Sequence, residues 1–161
     1  MKVVRNRRIV DDAWHLVADD ETAGSHAIVS LARWNAETPT LVAAGEPIGV
    51  LLRSNESPDD VAERDRAALI AVDFPSFTDG RGYTTSRMLR SRHGYKGEIR
   101  AVGDVMRDEM FLMSRCGIDS FAVKASKDIE KALSAFDDFS VTYQAAADDE
   151  RPLFRRASRG R

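Results

Sequence analysis

The chain has 161 residues, of which 43% are hydrophobic and 31% are charged, and its formal net charge is −2. This length fits one domain, since single domains use roughly 100–200 residues, and the composition supplies enough apolar side chains for a packed core. A net charge near zero gives no electrostatic reason to expect a nucleic acid or an anionic membrane as the partner.

The apolar runs of the chain exclude a membrane span, because they are far shorter than the roughly 20 residues of a transmembrane helix. The basic N-terminus lacks the apolar stretch of a secretory signal. We therefore expect a cytoplasmic protein.

The metal-ligating and nucleophilic residues are sparse. The single cysteine, Cys116, cannot by itself form an internal disulfide, an iron–sulfur cluster or a cysteine zinc site, and we expect it to be a buried structural thiol. The three histidines, His15, His26 and His93, lie far apart in the sequence without the spacing of a metal site. We predict no metal site based on cysteine or histidine.

Residues 1–44 predict a β-rich appendage that packs on the core. The apolar pairs Val3-Val4 and Ile9-Val10 alternate with charged residues, as in a hairpin with one exposed face. The apolar run 27–34 fits either a strand or the start of a helix, because a short run does not settle the period.

Residues 45–147 predict a core in which strands and helices alternate. Five short and mostly apolar segments are typical of strands buried on both faces: 48–52, 69–74, 98–102, 120–123 and 141–144. The intervening helices have candidate caps. We expect Ser57 to cap the first helix, Thr84 or Thr85 the second, and Ser126 the fourth. The third helix is predicted over 104–115.

This alternation predicts an α/β fold with a short, mainly parallel sheet of about five strands joined by right-handed crossovers. Five strands cannot close an eight-stranded barrel, so the core is either an open doubly wound sheet or a partial barrel. A partial barrel exposes strand edges unless residues 1–44 or a second subunit cover them, and we expect a homodimer. Residues 148–161 predict a flexible arginine-rich tail.

Four candidate catalytic residues lie at the carboxyl ends of the predicted strands, where parallel sheets and barrels bind ligands. They are Arg53, Asp73, Asp104 and Lys124. Together they could polarise a substrate and move protons, or the two aspartates could hold magnesium. The structural alternative is helix capping and salt bridging between loops.

The segment after the second core strand resembles a phosphate-binding loop only in part. Gly80 and Gly82 allow close backbone approach, and Thr84 and Thr85 could face an anion at a helix start. The third glycine of a dinucleotide fingerprint and a Walker lysine are both missing.

A basic run continues from this loop over 81–100. Its candidate residues for binding an oxyanion or an acidic partner are Arg81, Arg87, Arg90 and Arg100. A solvated helix face is the alternative interpretation of the same residues.

These central motifs resemble a bacterial family of unknown function. The likeness covers about 28–123 and depends on DFP at 73–75, DGRGY at 79–83, LR at 89–90, GEIRAVGDV at 97–105, Asp108, RCG at 115–117 and Phe121. Members of that family carry the label of oxidoreductases involved in sulfite reduction. The resemblance implies a pathway, cysteine biosynthesis from sulfate, more directly than a reaction.

Three hypotheses follow. The first is an accessory protein that docks through 81–100 on sulfite reductase or on its electron donor, with a small oxyanion or nucleotide as a further ligand. The second is an independent oxidoreductase that uses flavin or nicotinamide at the strand ends. The third, and the least favoured, is a nucleic-acid-binding regulator that uses the helix from Thr84 to His93 and the arginine tail.

Overall fold

The β-strands form one eight-stranded sheet in the computed structural model, which describes residues 1–124 and 128–156. The strands are β1 (Lys2–Arg5), β2 (Arg8–Asp11), β3 (His15–Leu16), β4 (Ala27–Ser30), β5 (Gly49–Leu52), β6 (Leu69–Phe74), β7 (Glu98–Gly103) and β8 (Ser120–Phe121). The α-helices of the described residues are α1 (Leu31–Ala43), α2 (Arg81–Ser91), α3 (Arg107–Arg115), α4 (Ile129–Leu133) and α5 (Leu153–Arg156). Short 3-10 turns lie at Pro58–Asp60, Arg64–Arg66 and Ser134–Asp137.

The strand order is β2-β1-β8-β7-β6-β5-β4-β3. Strands β3 to β8 run parallel, while β1 is antiparallel to both β8 and β2. The prediction of a mainly parallel α/β sheet is therefore confirmed, with eight strands rather than five. Four of the five predicted strands are present as β5 to β8, and the other four, β1 to β4, come from residues 1–44 and belong to the same sheet.

The chain connectivity explains why this sheet curls into an open half-barrel. β2 and β3 lie at opposite ends of the strand order, yet only three residues, Asp12 to Trp14, connect them. Four residue steps from Asp11 to His15 reach at most about 14 Å. In a flat sheet, seven spacings of about 4.8 Å would separate the outer strands by about 34 Å, so the two ends of the sheet must bend toward each other.

The two faces of the sheet differ in what covers them. Along β6, Ile70, Val72 and Phe74 point into the larger apolar core, which also contains the helix residues Trp34, Leu89 and Met110. Leu69 and Ala71 point to the concave face, where a smaller cluster includes Ile28, with Trp14 packed against it. The side chains of the concave face therefore line the inside of the half-barrel.

The ambiguous run 27–34 contains both a strand end and a helix start. β4 ends at Ser30, whose extended backbone and side chain cap α1 by accepting a hydrogen bond from the Arg33 backbone N–H at 3.1 Å. The change from strand to helix at Ser30 explains why neither a strand pattern nor a helix pattern fits the whole run.

The remaining predicted strands meet three outcomes. The strand predicted at 69–74 has the bounds of β6, and those at 48–52, 98–102 and 120–123 are correct to within two residues. The strand predicted at 141–144 is wrong: Val141 and Tyr143 are 58% and 69% exposed and pair with no strand of the described chain. β-branched and aromatic residues favour a strand only where they have a surface to cover.

Helix starts are predicted less well than helix existence. The second helix begins at Arg81 rather than at Thr84 or Thr85, and the third begins at Arg107 rather than at Asp104. Ser57 caps a 3-10 turn instead of an α-helix.

The fourth helix and the C-terminal tail are described only in part. Ser126 lies outside the described residues, and Asp128 is the N-cap of α4. The tail forms α5 at Leu153–Arg156, and 157–161 lie outside the described residues. Among the helices that the structure describes, none has the length and apolar character needed to cross a membrane.

Candidate functional site

The four residues predicted to be catalytic lie at the same edge of the sheet. Arg53 directly follows β5, Asp73 is the penultimate residue of β6, Asp104 directly follows β7, and Lys124 lies three residues beyond β8. Because β5 to β8 are adjacent and parallel, their carboxyl ends meet at one edge of the half-barrel. We call these four residues the rim.

Asp73 is the most unusual rim residue. It alternates with Leu69 and Ala71, so its side chain points to the concave face, opposite Val102 in the register of β6 and β7. Burial raises the pKa of this carboxyl, against a lowering by the nearby Arg53 guanidinium. Within the described residues its carboxylate accepts no hydrogen bond. An acid in this state is suited to proton transfer.

Gly103 allows the backbones of β6 and β7 to approach closely at the rim. Its φ is +93°, and a Cβ atom placed there would lie 2.4 Å from the Phe74 carbonyl oxygen and 2.8 Å from Asp73 Oδ1. The next backbone N–H, of Asp104, donates to the same Phe74 carbonyl at 2.7 Å. Only glycine combines this conformation with this contact.

The two cations of the rim differ in their partners. Lys124 Nζ lies 2.7 Å from Asp104 Oδ1 in a partly exposed ion pair. The backbone N–H of Arg53 donates to Glu56, but its guanidinium makes no hydrogen bond or ion pair with the described part of the chain. The rim therefore offers an incoming anion one exposed guanidinium beside a half-buried carboxyl.

Arg81 fastens the loop after β6 to the loop after β5. Its guanidinium donates to Asp79 at 2.6 and 2.9 Å and to Ser54 Oγ at 3.0 Å. These hydrogen bonds hold the pKa of the Asp79 carboxyl well below its usual range. Arg81 is thus placed near the rim, but its charge is already paired.

The glycines and threonines of the same loop do not form a phosphate cradle together. Gly80 is the N-cap of α2 and Gly82 packs on Phe74, whose ring carbon would lie 2.6 Å from an added Cβ atom. Because α2 begins at Arg81, Thr84 and Thr85 fall in its second turn, with Thr84 exposed and Thr85 buried.

The basic run 81–100 does not form one surface. Four of its six cations are held in ion pairs, which are Arg81–Asp79, Arg90–Asp119, Arg92–Asp59 and Arg100 with Asp12 and Glu98. The alternation of helix and strand across this run sends neighbouring arginines to different sides of the fold.

Arg90 and Arg100 have structural environments. Arg90 donates to the carbonyl oxygens of Tyr95, Gly97 and Gly117 at 2.7 to 2.9 Å, and to the Asp119 carboxylate at 2.8 Å. These contacts lie at the amino ends of β7 and β8, at the opposite edge of the sheet from the rim. The side chain of Arg100 is 2% exposed and lies inside the half-barrel.

The two remaining cations, Arg87 and Lys96, form no ion pair with other described residues. They line a cleft of about 340 Å³ with Ser91, Tyr95 and Glu150. Of the predicted basic surface, only the two cations that line this cleft have no ion-pair partner among the described residues.

A larger cleft was not predicted from the sequence. It occupies about 500 Å³ inside the half-barrel, and its mostly apolar wall includes Trp14, Ile28, Val102 and Ala122, with Arg100 beside them. The sequence pattern indicates which strand residues share the concave face. It does not indicate the curl that brings β3 and β4 near β7 and β8, because that curl is a tertiary feature.

No group of three or more histidine, cysteine, aspartate or glutamate side chains in 1–124 and 128–156 is arranged to hold a metal ion. Cys116 is half-buried at the end of α3, and burial raises the pKa of its thiol.

The fold and the rim define an α/β half-barrel protein with a polar site at the carboxyl ends of its parallel strands. Residues 49–154 match the family described as "Bacterial protein of unknown function (DUF934)". The chain belongs to this family, and the resemblance to a bacterial family of unknown function is confirmed. No curated protein matches the chain.

Proposed function

We propose that this protein takes part in assimilatory sulfite reduction by binding an oxyanion at the rim, while a partner supplies the electrons. The observation that carries the proposal is the convergence of Arg53, Asp73 and the Asp104–Lys124 pair at the carboxyl ends of four adjacent parallel strands. Arginine and lysine suit sulfur oxyanions, which they bind through charge-assisted hydrogen bonds.

The pathway comes from the resemblance, in which family members carry the label of oxidoreductases in sulfite reduction. The sequence is the reason for assigning oxyanion binding to this protein and electron supply to a partner. One cysteine cannot hold an iron–sulfur cluster that needs several thiolates. Sulfite reductase or its electron donor is therefore the proposed source of electrons.

The proposed docking surface for an acidic redox partner is the cleft of Arg87 and Lys96. It replaces the whole run 81–100, because Arg90 and Arg100 are occupied within the fold. Association through two exposed cations weakens as salt rises, since screening acts fully on exposed charges.

Titration calorimetry with sulfite tests the rim. Replacing Arg53 or Lys124 with glutamine removes a charged hydrogen-bond donor, and we expect sulfite affinity to fall about tenfold or more. Arg8→Gln is the matched control, because Arg8 is exposed on β2 at the hairpin turn, away from the rim. Absence of sulfite binding, or equal binding by all variants, contradicts the proposal.

A second candidate function is an independent flavin- or nicotinamide-dependent oxidoreductase. The observation that favours it is Asp73, a carboxyl with a raised pKa and no hydrogen-bond donor among the described residues. The absorbance spectrum and native mass of gently purified protein separate the two candidates. A flavin band or a bound nucleotide favours the enzyme, and a colourless ligand-free mass favours the accessory role. The same native mass tests the predicted homodimer.

A further inference from the structure

The cleft inside the half-barrel has the size and lining of a ligand site. Its volume of about 500 Å³ falls within the roughly 300–1,000 Å³ of small-molecule pockets, which are mainly apolar with a few polar groups. Trp14 and Ile28 form one side and Val102 and Ala122 the other.

The cleft borders the rim, although its lining residues include none of the four rim residues. Val102, in the wall of the cleft, is the register partner of Asp73, so the two side chains stand side by side on the concave face. Ala122, also in the wall, precedes Lys124 by two residues, a distance of at most about 7 Å along the chain. A molecule seated in the cleft reaches the rim if it extends past Val102 toward the carboxyl ends of the strands.

The charges in the cleft fix the direction in which a ligand binds. The buried Arg100 guanidinium is already paired with Asp12 at 2.8 Å and Glu98 at 2.7 Å, so this cation is not available to an incoming anion. Burying an unpaired anion there would be costly. The exposed guanidinium of Arg53 at the rim is the better partner, and the apolar part of the ligand then points inward.

We propose that the rim and the cleft together bind an organic oxyanion, that is, a sulfonate, sulfate ester or phosphate group attached to an apolar body. The oxyanion contacts Arg53 and Lys124, and the body lies between Trp14 and Val102. This inference rests on the proposed oxyanion site and names the class of its ligand, which is larger than inorganic sulfite.

Titration calorimetry of the full chain with straight-chain alkyl sulfonates, from methanesulfonate to hexanesulfonate, tests the inference. Each methylene that enters an apolar cleft should raise affinity about fourfold, until the cleft is filled. Sulfite is the reference ligand. Alkyl phosphates of the same lengths separate a preference for sulfur oxyanions from one for phosphate.

Two substitutions that fill the cleft locate the apolar body. Ala122→Phe and Ile28→Phe each place a ring in the space, so the dependence on chain length should disappear while sulfite affinity stays within about twofold. Arg53→Gln should weaken sulfite and hexanesulfonate by the same factor. Circular dichroism and thermal melting establish that each variant is folded. The chain-length series on the wild-type protein tests the inference even if a variant fails to fold.

The outcomes separate the two proposals. A flat series with sulfite binding that depends on Arg53 overturns the organic ligand and leaves the rim proposal standing. No binding of sulfite or of any sulfonate overturns both. A rising series that is indifferent to Arg53, or that survives in both filled variants, overturns the placement of the ligand. A rising series that depends on Arg53 and is lost in the filled variants is the expected result.

Discussion

Arg100 and Asp12 form an ion pair of 2.8 Å in which both side chains are only 2% exposed, although 88 residues separate them in the sequence. The pair joins β7 to the short connection between β2 and β3. It lies inside the half-barrel and fastens the segment that crosses from one end of the sheet to the other. Glu98, at 2.7 Å, and Ser120 Oγ, at 3.2 Å, complete the surroundings of the guanidinium.

Removing the Asp12 carboxylate from this pair should destabilise the fold strongly. Asp12→Ala leaves Arg100 buried with one of its two carboxylate partners, and removing one member of a buried pair typically costs about 3–5 kcal/mol. Urea denaturation measures the change. Arg66→Ala is the control, since its pair with Glu63 is half exposed on both sides and should contribute less than about 1 kcal/mol.

Replacing both members by apolar residues should restore part of the loss. We expect Asp12→Leu with Arg100→Met to be more stable than Asp12→Ala alone, because no guanidinium then stays buried with only one of its two carboxylate partners, and Glu98 keeps Arg5 as a partner at 3.4 Å. A double variant that is no more stable than the single one contradicts this account.

Gly103 should tolerate no side chain. Gly103→Ala meets the Phe74 carbonyl oxygen at 2.4 Å in addition to adopting a φ of +93°, and we expect a loss of more than the about 1–3 kcal/mol of backbone strain alone. Gly94→Ala isolates the strain, because Gly94 has a φ of +64° and no atom within 4 Å of the added Cβ. Equal losses in the two variants would show that the contact with β6 is unimportant.

Asp73→Asn should stabilise the protein at neutral pH. Burial raises the pKa of Asp73 above 3.8, so the folded chain holds this proton more tightly than the unfolded chain and ionisation lowers stability. The advantage of the variant should therefore appear as the pH rises above 3.8, level off above the folded pKa, and vanish in acid.

Urea denaturation across pH 3 to 8 checks this sign. Asp20→Asn, at an exposed position, should follow the wild-type curve. An Asp73→Asn variant that is less stable at pH 7 would mean that the carboxylate is held by favourable contacts.

Substitutions of Arg90 and Arg87 should have opposite effects, because Arg90 stabilises the fold and Arg87 lies on the proposed docking surface. Arg90→Gln removes the donors to three carbonyl oxygens and the partner of Asp119, and we expect a loss of more than about 2 kcal/mol. Arg87→Gln should change stability by less than about 0.5 kcal/mol but reduce salt-sensitive association with the redox partner. The reverse pattern would place the docking surface elsewhere.

Local sequence signals predicted the elements whose neighbours along the chain decide their structure. The apolar residues 69–72 of β6 are typical of a strand buried on both faces, and the predicted bounds 69–74 are those of β6. The predicted end of the third helix at 115 was also correct, and Gly117 lies just beyond it with a φ of +99°, a conformation that is common for a glycine after a helix. The strand prediction at 141–144 was wrong because Val141 and Tyr143 have strand-forming side chains but pair with no strand among residues 1–124 and 128–156.

The candidate site shows the same division. The rule that parallel sheets place ligands at their carboxyl ends was enough to bring Arg53, Asp73, Asp104 and Lys124 to one rim. The basic run 81–100 could not be resolved in the same way. Whether an arginine is free depends on its partner, and the partners of Arg90 and Arg100 include Asp119 and Asp12, which lie 29 and 88 residues away.

The sequence by itself determined the α/β class, the central parallel strands and the rim, because hydrophobic period and strand direction are local properties of the chain. Only the tertiary structure decided that residues 1–44 complete the sheet, that the sheet curls around an apolar cleft, and which arginines remain free. These features depend on pairing between distant segments. The three-residue connection from β2 to β3 forces the curl only once both strands occupy the ends of one sheet.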